Sequence, residues 1–132
     1  MIRKVNHVGI VVRSLDEALD LYVKTFGFER SEIMTREEMG MRSATISLGE
    51  VTFEIMEPID DQSGIHAFLQ KRGEGLHHVS LEVDDMRKER TSLESKGIHF
   101  LETEARYVDH SYVSFIHPKF TKGVLIELVQ RL

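Results

Sequence analysis

The chain has no cysteine among its 132 residues. No disulfide can form, and a thiolate metal centre is excluded. Long apolar runs are missing as well: no stretch approaches the ~18 apolar residues of a membrane span. The N-terminal MIRKVNHVGIVV carries Arg3 and Lys4, but Asn6 and His7 break its apolar run and no small-residue cleavage site follows. A secretory leader is therefore not expected, and a cytoplasmic location is the working expectation. The charges sum to −5 with both signs interspersed, and no basic stripe marks a nucleic-acid footprint. Proline occurs only at Pro58 and Pro118. The first ends a strand, and the second opens a turn bounded by Gly123.

What is present is ordinary for a globular protein: 41% hydrophobic and 30% charged residues. A chain of this length buries roughly two thirds of the surface that its unfolded form exposes, enough to fold without staples. The expectation is a single domain spanning residues 1–132.

Read in order, residues 3–12 alternate as a strand, with Val8, Ile10 and Val12 on one face and His7, Gly9 and Val11 on the other. Ser14 and Glu17 form a capping box. Ala18, Leu21, Tyr22 and Phe26 then follow at helical spacing, and Gly27 is placed for a left-handed C-cap. Strands are expected at 28–34, 41–48 and 51–58, with TREEMG a polar connection and Gly49-Glu50 a hairpin turn. Residues 59–75 read as a bridge containing a short helix capped by Ser63. The order then restarts: strand 76–83, a helix capped by Asp84 or Asp85 and closed by Gly97, strand 98–103, loop 104–111, strand 112–117 and a final strand in GVLIELVQ.

This is an internal repeat of pattern βαβββ, with module 1 over residues 1–58, a linker over 59–75 and module 2 over 76–132. His7 and His78 are 71 residues apart, Gly27 and Gly97 are 70 apart, and Glu54 and Glu127 are 73 apart. Such matched spacings are the mark of duplicated modules. The fold class that follows is α+β: tandem βαβββ modules forming a curved mixed sheet around a metal site.

The metal site is the reading of four residues. His7, Glu54, His78 and Glu127 each lie on a strand, opposite its apolar face, and each module supplies one His and one Glu. Imidazole and carboxylate suit a divalent Zn, Co, Ni, Mn or Fe ion, with ligand distances of about 2.0–2.2 Å for zinc. Two carboxylates offset the ion's charge. Four ligands on an octahedral ion leave two positions for water or substrate oxygens, the mark of a catalytic centre. His77 shares the face of Val79 and Leu81 and reads as packed structure. His66, His99, His110 and His117 have no repeat partner and read as structural.

These features resemble the vicinal oxygen chelate superfamily, which holds glyoxalase I, extradiol dioxygenases and antibiotic-resistance binding proteins. Within it, NHVGIVVRSLDEALDLY, LGEVTFEIMEP, GEGLHHVSLEV and GVLIEL are most similar to the methylmalonyl-CoA epimerases. The resemblance implies that His7, Glu54, His78 and Glu127 are metal ligands and that Glu38, in EEMGM, is the catalytic base, with Glu37 the poorer candidate. The implied reaction moves a proton on and off the carbon between a carboxylate and a thioester, while the metal holds substrate oxygens and stabilises enolate charge. A carboxylate base suits that work in a dry pocket. Glu127 or Glu54, while bound to the metal, is a candidate for returning the proton, and the choice between them stays open. An acyl-CoA substrate and a homodimer are likewise implied. Two departures bear on the substrate. No glycine stands between Gly97 and Gly123, so Tyr107, Asp109, His110 and Tyr112 fill a normally glycine-rich loop, and Met39 replaces a residue that is commonly polar. The alternatives are a glyoxalase I-like lyase of a hemithioacetal, which uses the same ligand types, and a non-catalytic small-molecule binder, whose relatives lack the ligand quartet.

Overall fold

The computed structural model describes residues 1–132. Its elements run β1 (Ile2–Val11), α1 (Leu15–Leu19), β2 (Met34–Arg36), β3 (Met41–Leu48), β4 (Val51–Pro58), α2 (Gly64–Arg72), β5 (Gly75–Val83), α3 (Met86–Ser95), β6 (Arg106–Val108), β7 (Ser111–Ile116) and β8 (Ile126–Arg131). The βαβββ order occurs twice, separated by α2. No helix is long and apolar enough to cross a membrane. The chain forms two compact units, Val8–His77 and Met1–His7 with His78–Leu132, so β1 contributes to both.

In the Val8–His77 unit the strand order is β2-β3-β4-β1. Helix α1 starts where Ser14 accepts a hydrogen bond from the Glu17 amide at 3.1 Å, satisfying one of the amides a helix start leaves free. Leu15 and Leu19, four residues apart, then face the sheet and pack with Ile10, Ala44, Ile46 and Ile55. Each such side chain contributes about 1.5–3 kcal/mol by leaving water. Beyond Leu19 the helix widens: Asp20–Thr25 is a π-turn, in which the Phe26 amide donates to the Leu21 carbonyl at 3.0 Å. The extra residue in that turn rotates the apolar face. Leu21 and Phe26, expected inward from regular helical spacing, are therefore exposed. Gly27 closes the helix at φ 80°.

The other face of this unit is not open along its whole length. Val11, on the same strand face as His7 by alternation, is fully buried with Met41 and Met56 under Ile65 and Leu69 of α2. The bridge segment thus supplies the cover that the second apolar face requires. Ser63 caps that helix through the His66 amide at 3.2 Å.

In the other unit the order is β1-β5-β8-β7-β6, with β5 and β8 parallel and β8-β7-β6 antiparallel. Asp85, rather than Asp84, caps α3 by accepting from the Lys88 amide at 3.0 Å. The core joins Val83, Met86, Ile116 and Leu128. Arg90 of α3 is buried, and its guanidinium donates to Ser114 Oγ at 2.8 Å and to the Glu102 and Thr103 carbonyls at 2.9 and 3.0 Å. Its face lies over the Phe100 ring at 4.4 Å. Those bonds compensate the charge's loss of water.

The second strand of each repeat differs from expectation. Residues 28–33 make only a bridge, Arg30 to Ile46, and residues 98–103 only a bridge, Phe100 to Ile116. The paired strands are the short β2 and β6, which fall at the end of, or after, the stretches read as strands. Phe28, Ile98 and Phe100 bury side chains against the cores from irregular backbone. Apolar content there reports packing rather than pairing.

Candidate metal centre

Within the unit formed by Met1–His7 and His78–Leu132, three strands bring polar groups together. β1 carries Asn6 and His7, β5 carries His78, Ser80 and Glu82, and β8 carries Glu127 and Arg131. The parallel register sets Ser80 directly beside Glu127. His7 Nε2 lies 3.0 Å from His78 Nε2, with the rings edge to face. His7 Nε2 also lies 3.5 Å from Glu127 Oε1. Phe115 meets the His78 ring edge to face at 5.7 Å between centroids.

The cluster is dry. His78 and Glu127 are 5% and 7% exposed, and Ser80 is fully buried. The Ser80 hydroxyl donates to Glu127 Oε1 at 2.6 Å, a short charge-assisted bond that anchors one carboxylate oxygen. Burial, aided by the positive charge of Arg131, lowers the His7 pKa from 6.5 to about 4, because taking a cation out of water is unfavourable. His7 is thus a neutral imidazole at physiological pH, the form that binds metals. Two convergent Nε2 atoms and a carboxylate, clustered in a largely buried part of one unit, fit a divalent ion of the nitrogen-and-oxygen class.

Glu54 lies on β4 in the other unit, half-buried, opposite Thr45 of β3. Glu38 and Glu37 are exposed on a one-turn 3₁₀ segment, Glu37–Met39, between β2 and β3. Gly40 ends that turn at φ 65°, and a Cβ there would come within 2.9 Å of the Asp60 carboxylate and 2.8 Å of Ser63. Both the backbone angle and the space demand glycine. The Ile59 amide donates to the Gly40 carbonyl at 2.9 Å, so the turn is tied to the start of the α2 segment.

The loop without glycine is a tight hairpin. Asp109 and His110 connect β6 to β7 with φ of 47° and 58°, the left-handed pair that a two-residue hairpin turn requires. Tyr107 and Tyr112 pair across it with centroids 5.7 Å apart, and the Tyr107 hydroxyl lies 3.3 Å from His110 Nδ1. His77 packs edge to face on Phe68 at 4.9 Å, and burial lowers its pKa. Lys119 is exposed, its ammonium 5.1 Å from the Phe120 ring centre.

Sequence pattern alone did not single out three residues beside the cluster: Asn6, Ser80 and Glu82. Ser80 follows His78 at a spacing of two, the strand period, and that spacing is the signal that places it on the ligand's face.

Comparison with known proteins gives a consistent result. The family model for the Glyoxalase/Bleomycin resistance protein/Dioxygenase superfamily matches residues 6–115. The chain is 35% identical to the mitochondrial methylmalonyl-CoA epimerase of Dictyostelium discoideum, over 98% of this chain and 80% of that protein. It is 34% identical to the ethylmalonyl-CoA/methylmalonyl-CoA epimerase of Cereibacter sphaeroides, over 98% of this chain and 99% of that protein. A solved structure of methylmalonyl-CoA epimerase in complex with methylmalonyl-CoA and NH4+ matches with a TM-score of 0.90 at 31% identity, covering 99% of this chain and 96% of that one.

Proposed function

The chain belongs to the glyoxalase/bleomycin resistance protein/dioxygenase superfamily, and within it we propose a metal-dependent epimerase of methylmalonyl-CoA or a related 2-acyl-CoA thioester. The observation that carries the reading is the buried convergence of His7, His78 and Glu127, in a chain that matches methylmalonyl-CoA epimerases over nearly its whole length. We assign His7, Glu54, His78 and Glu127 as the ligands of a divalent ion. Glu54 enters the set as the first repeat's counterpart of Glu127, 73 residues before it.

When bound, a divalent ion supplies Lewis acidity toward the substrate's oxygens and offsets the negative charge that grows as the proton leaves. The protein's own residues do the rest. His7 is a neutral donor, and both His7 and His78 are held by ring contact, so they enter binding without reorganising. Ser80 holds one oxygen of Glu127 and so fixes the direction in which that carboxylate presents itself. Glu38 takes the proton from the carbon between carboxylate and thioester. It rides on a turn that Gly40 fixes against the α2 start, so its backbone position is set before substrate arrives. A carboxylate base works best with water excluded, and the acyl-CoA itself is the group that covers Glu38. Glu127 is assigned the return of the proton on the other side. A cytoplasmic homodimer completes the reading, and light scattering on the purified protein tests the dimer.

The test is solvent deuterium at C2 of methylmalonyl-CoA. Incorporation by the purified protein that stops on chelation and returns with added Co²⁺ is expected. No incorporation with Zn, Co, Ni, Mn or Fe, or turnover of a hemithioacetal alone, would overturn the reading.

A further inference from the structure

We propose that Asn6 is a positioning residue: clamped by Glu82, it keeps the His7 proton on Nδ1 and so turns the Nε2 lone pair toward the ion. The inference rests on the metal-centre reading above and adds to it which groups orient its first ligand.

A carboxylate only accepts hydrogen bonds, and a side-chain amide has one accepting and one donating end. Asn6 Nδ2 donates to Glu82 Oε2 at 2.9 Å. That fixes which way round the amide sits, because its oxygen could only repel Glu82. Asn6 Oδ1 therefore faces His7 Nδ1, at 2.8 Å. A carbonyl oxygen only accepts, so Nδ1 must carry the hydrogen. A neutral imidazole has a single N–H, so Nε2 keeps its lone pair. That atom is the one beside His78 Nε2 and Glu127 Oε1.

Glu82 is itself steered from β8. Arg131 Nε lies 3.9 Å from the same Oε2 that receives the Asn6 amide. The chain Arg131–Glu82–Asn6–His7 thus spans three strands of one unit and ends at the Nδ1 side of a ligand ring. Asn6 is also the first buried residue of β1: Ile2–Val5 are exposed, whereas Asn6 is 7% exposed. An amide in so dry a place needs partners for both ends, and here they are a charge and a ligand. Partners of this kind fix the ring orientation of metal-binding histidines and typically govern affinity by 10–100-fold.

The test uses metal-free full-length protein in two measurements. Long-range ¹⁵N–¹H NMR of the histidine rings reads the tautomer, and Co²⁺ titration reads affinity. His7 protonated on Nδ1 is expected in the unsubstituted protein. Asn6→Leu, which removes the acceptor, should mix the tautomers and weaken Co²⁺ roughly 10–100-fold. Glu82→Gln keeps a partner for Asn6 but no longer dictates the amide's direction, and should show an intermediate loss with the fold unchanged by circular dichroism. Asn6→Asp restores an acceptor and should recover the Nδ1–H tautomer. A His7 found with its proton on Nε2 overturns the proposal. So does undiminished Co²⁺ affinity in folded Glu82→Gln and Asn6→Leu proteins. An Nδ1–H tautomer with no Co²⁺ uptake would instead sink the metal reading and leave the proton assignment standing.

Discussion

In the second repeat the strand motif is His78-Val79-Ser80, and the Ser80 hydroxyl donates to Glu127 at 2.6 Å. In the first repeat the motif is His7-Val8-Gly9, and glycine has no side chain to give. The carboxylates differ accordingly: Glu127 is 7% exposed and tethered by Ser80, whereas Glu54 is half-buried on β4. The connections after the second strand of each repeat also differ. The first repeat spends that position on the Glu37–Met39 turn, locked by Gly40. The second closes directly through Asp109 and His110. Duplication accounts for the common frame, and the departures from symmetry mark where the halves diverged; on the proposed assignment the first half carries the base and the second the tethered ligand.

The largest test of that asymmetry compares Glu38→Gln with Asp109→Asn, the residue 71 positions on. Loss of a general base lowers turnover by about 10²–10⁴-fold. Deuterium incorporation at C2 should fall by that amount in Glu38→Gln and stay within about twofold in Asp109→Asn, in line with a change outside the chemistry. Equal losses would break the division of labour between the repeats.

Next is the pair Glu127→Gln and Glu54→Gln, read by Co²⁺ titration. Replacing the tethered carboxylate should weaken binding by about 100-fold, the upper end for perturbing a metal site. Glu54→Gln should cost about tenfold or less, because its carboxylate is only half-buried and solvent screens the charge that is lost. The reverse order would show that the Ser80 tether does not decide the stronger ligand.

Acid unfolding of the metal-free protein probes the His7 side. In the unfolded chain His7 takes a proton near 6.5, but in the folded chain only near about 4. Between those values the unfolded form binds more protons, so stability falls as pH drops through this window. The full contribution is roughly 3 kcal/mol, and His77, lowered by burial as well, acts in the same direction. A flat melting temperature from pH 6.5 to 4 would contradict it. The smallest effect is expected for Ser80→Ala. It leaves the Glu127 oxygen without its donor and should cost about 1–3 kcal/mol of metal-free stability, measured by denaturant melts at neutral pH.

Much of the frame was legible. The caps at Ser14, Ser63 and Asp85, the closing glycines Gly27 and Gly97, and the Gly49 hairpin are local features, and each lies where chain chemistry alone demands it. The second strand of each repeat was misplaced in the same way both times. Phe28 and Phe100 look like strand residues because they are apolar and pack, partly buried, against the cores, yet the ladder forms at Met34–Arg36 and Arg106–Val108, which are short and mostly exposed. The rotation of the helix face beyond Leu19 was likewise hidden, since a π-turn has no compositional mark. At the candidate site, His7, His78 and Glu127 were visible through the repeat. Ser80 and Asn6 were not, for strict alternation sends Asn6 to the face away from His7.

The sequence by itself determined a duplicated βαβββ chain, the residue types at four matched positions and the exclusion of thiolate chemistry, because period, spacing and composition are properties of the chain alone. Only the tertiary structure decided which atoms meet. It set Ser80 beside Glu127 through the β5–β8 register, turned the Asn6 amide between Glu82 and His7, and covered Val11 with α2. Those outcomes depend on registers and on burial shared between distant segments, and a linear pattern does not encode a partner 76 residues away.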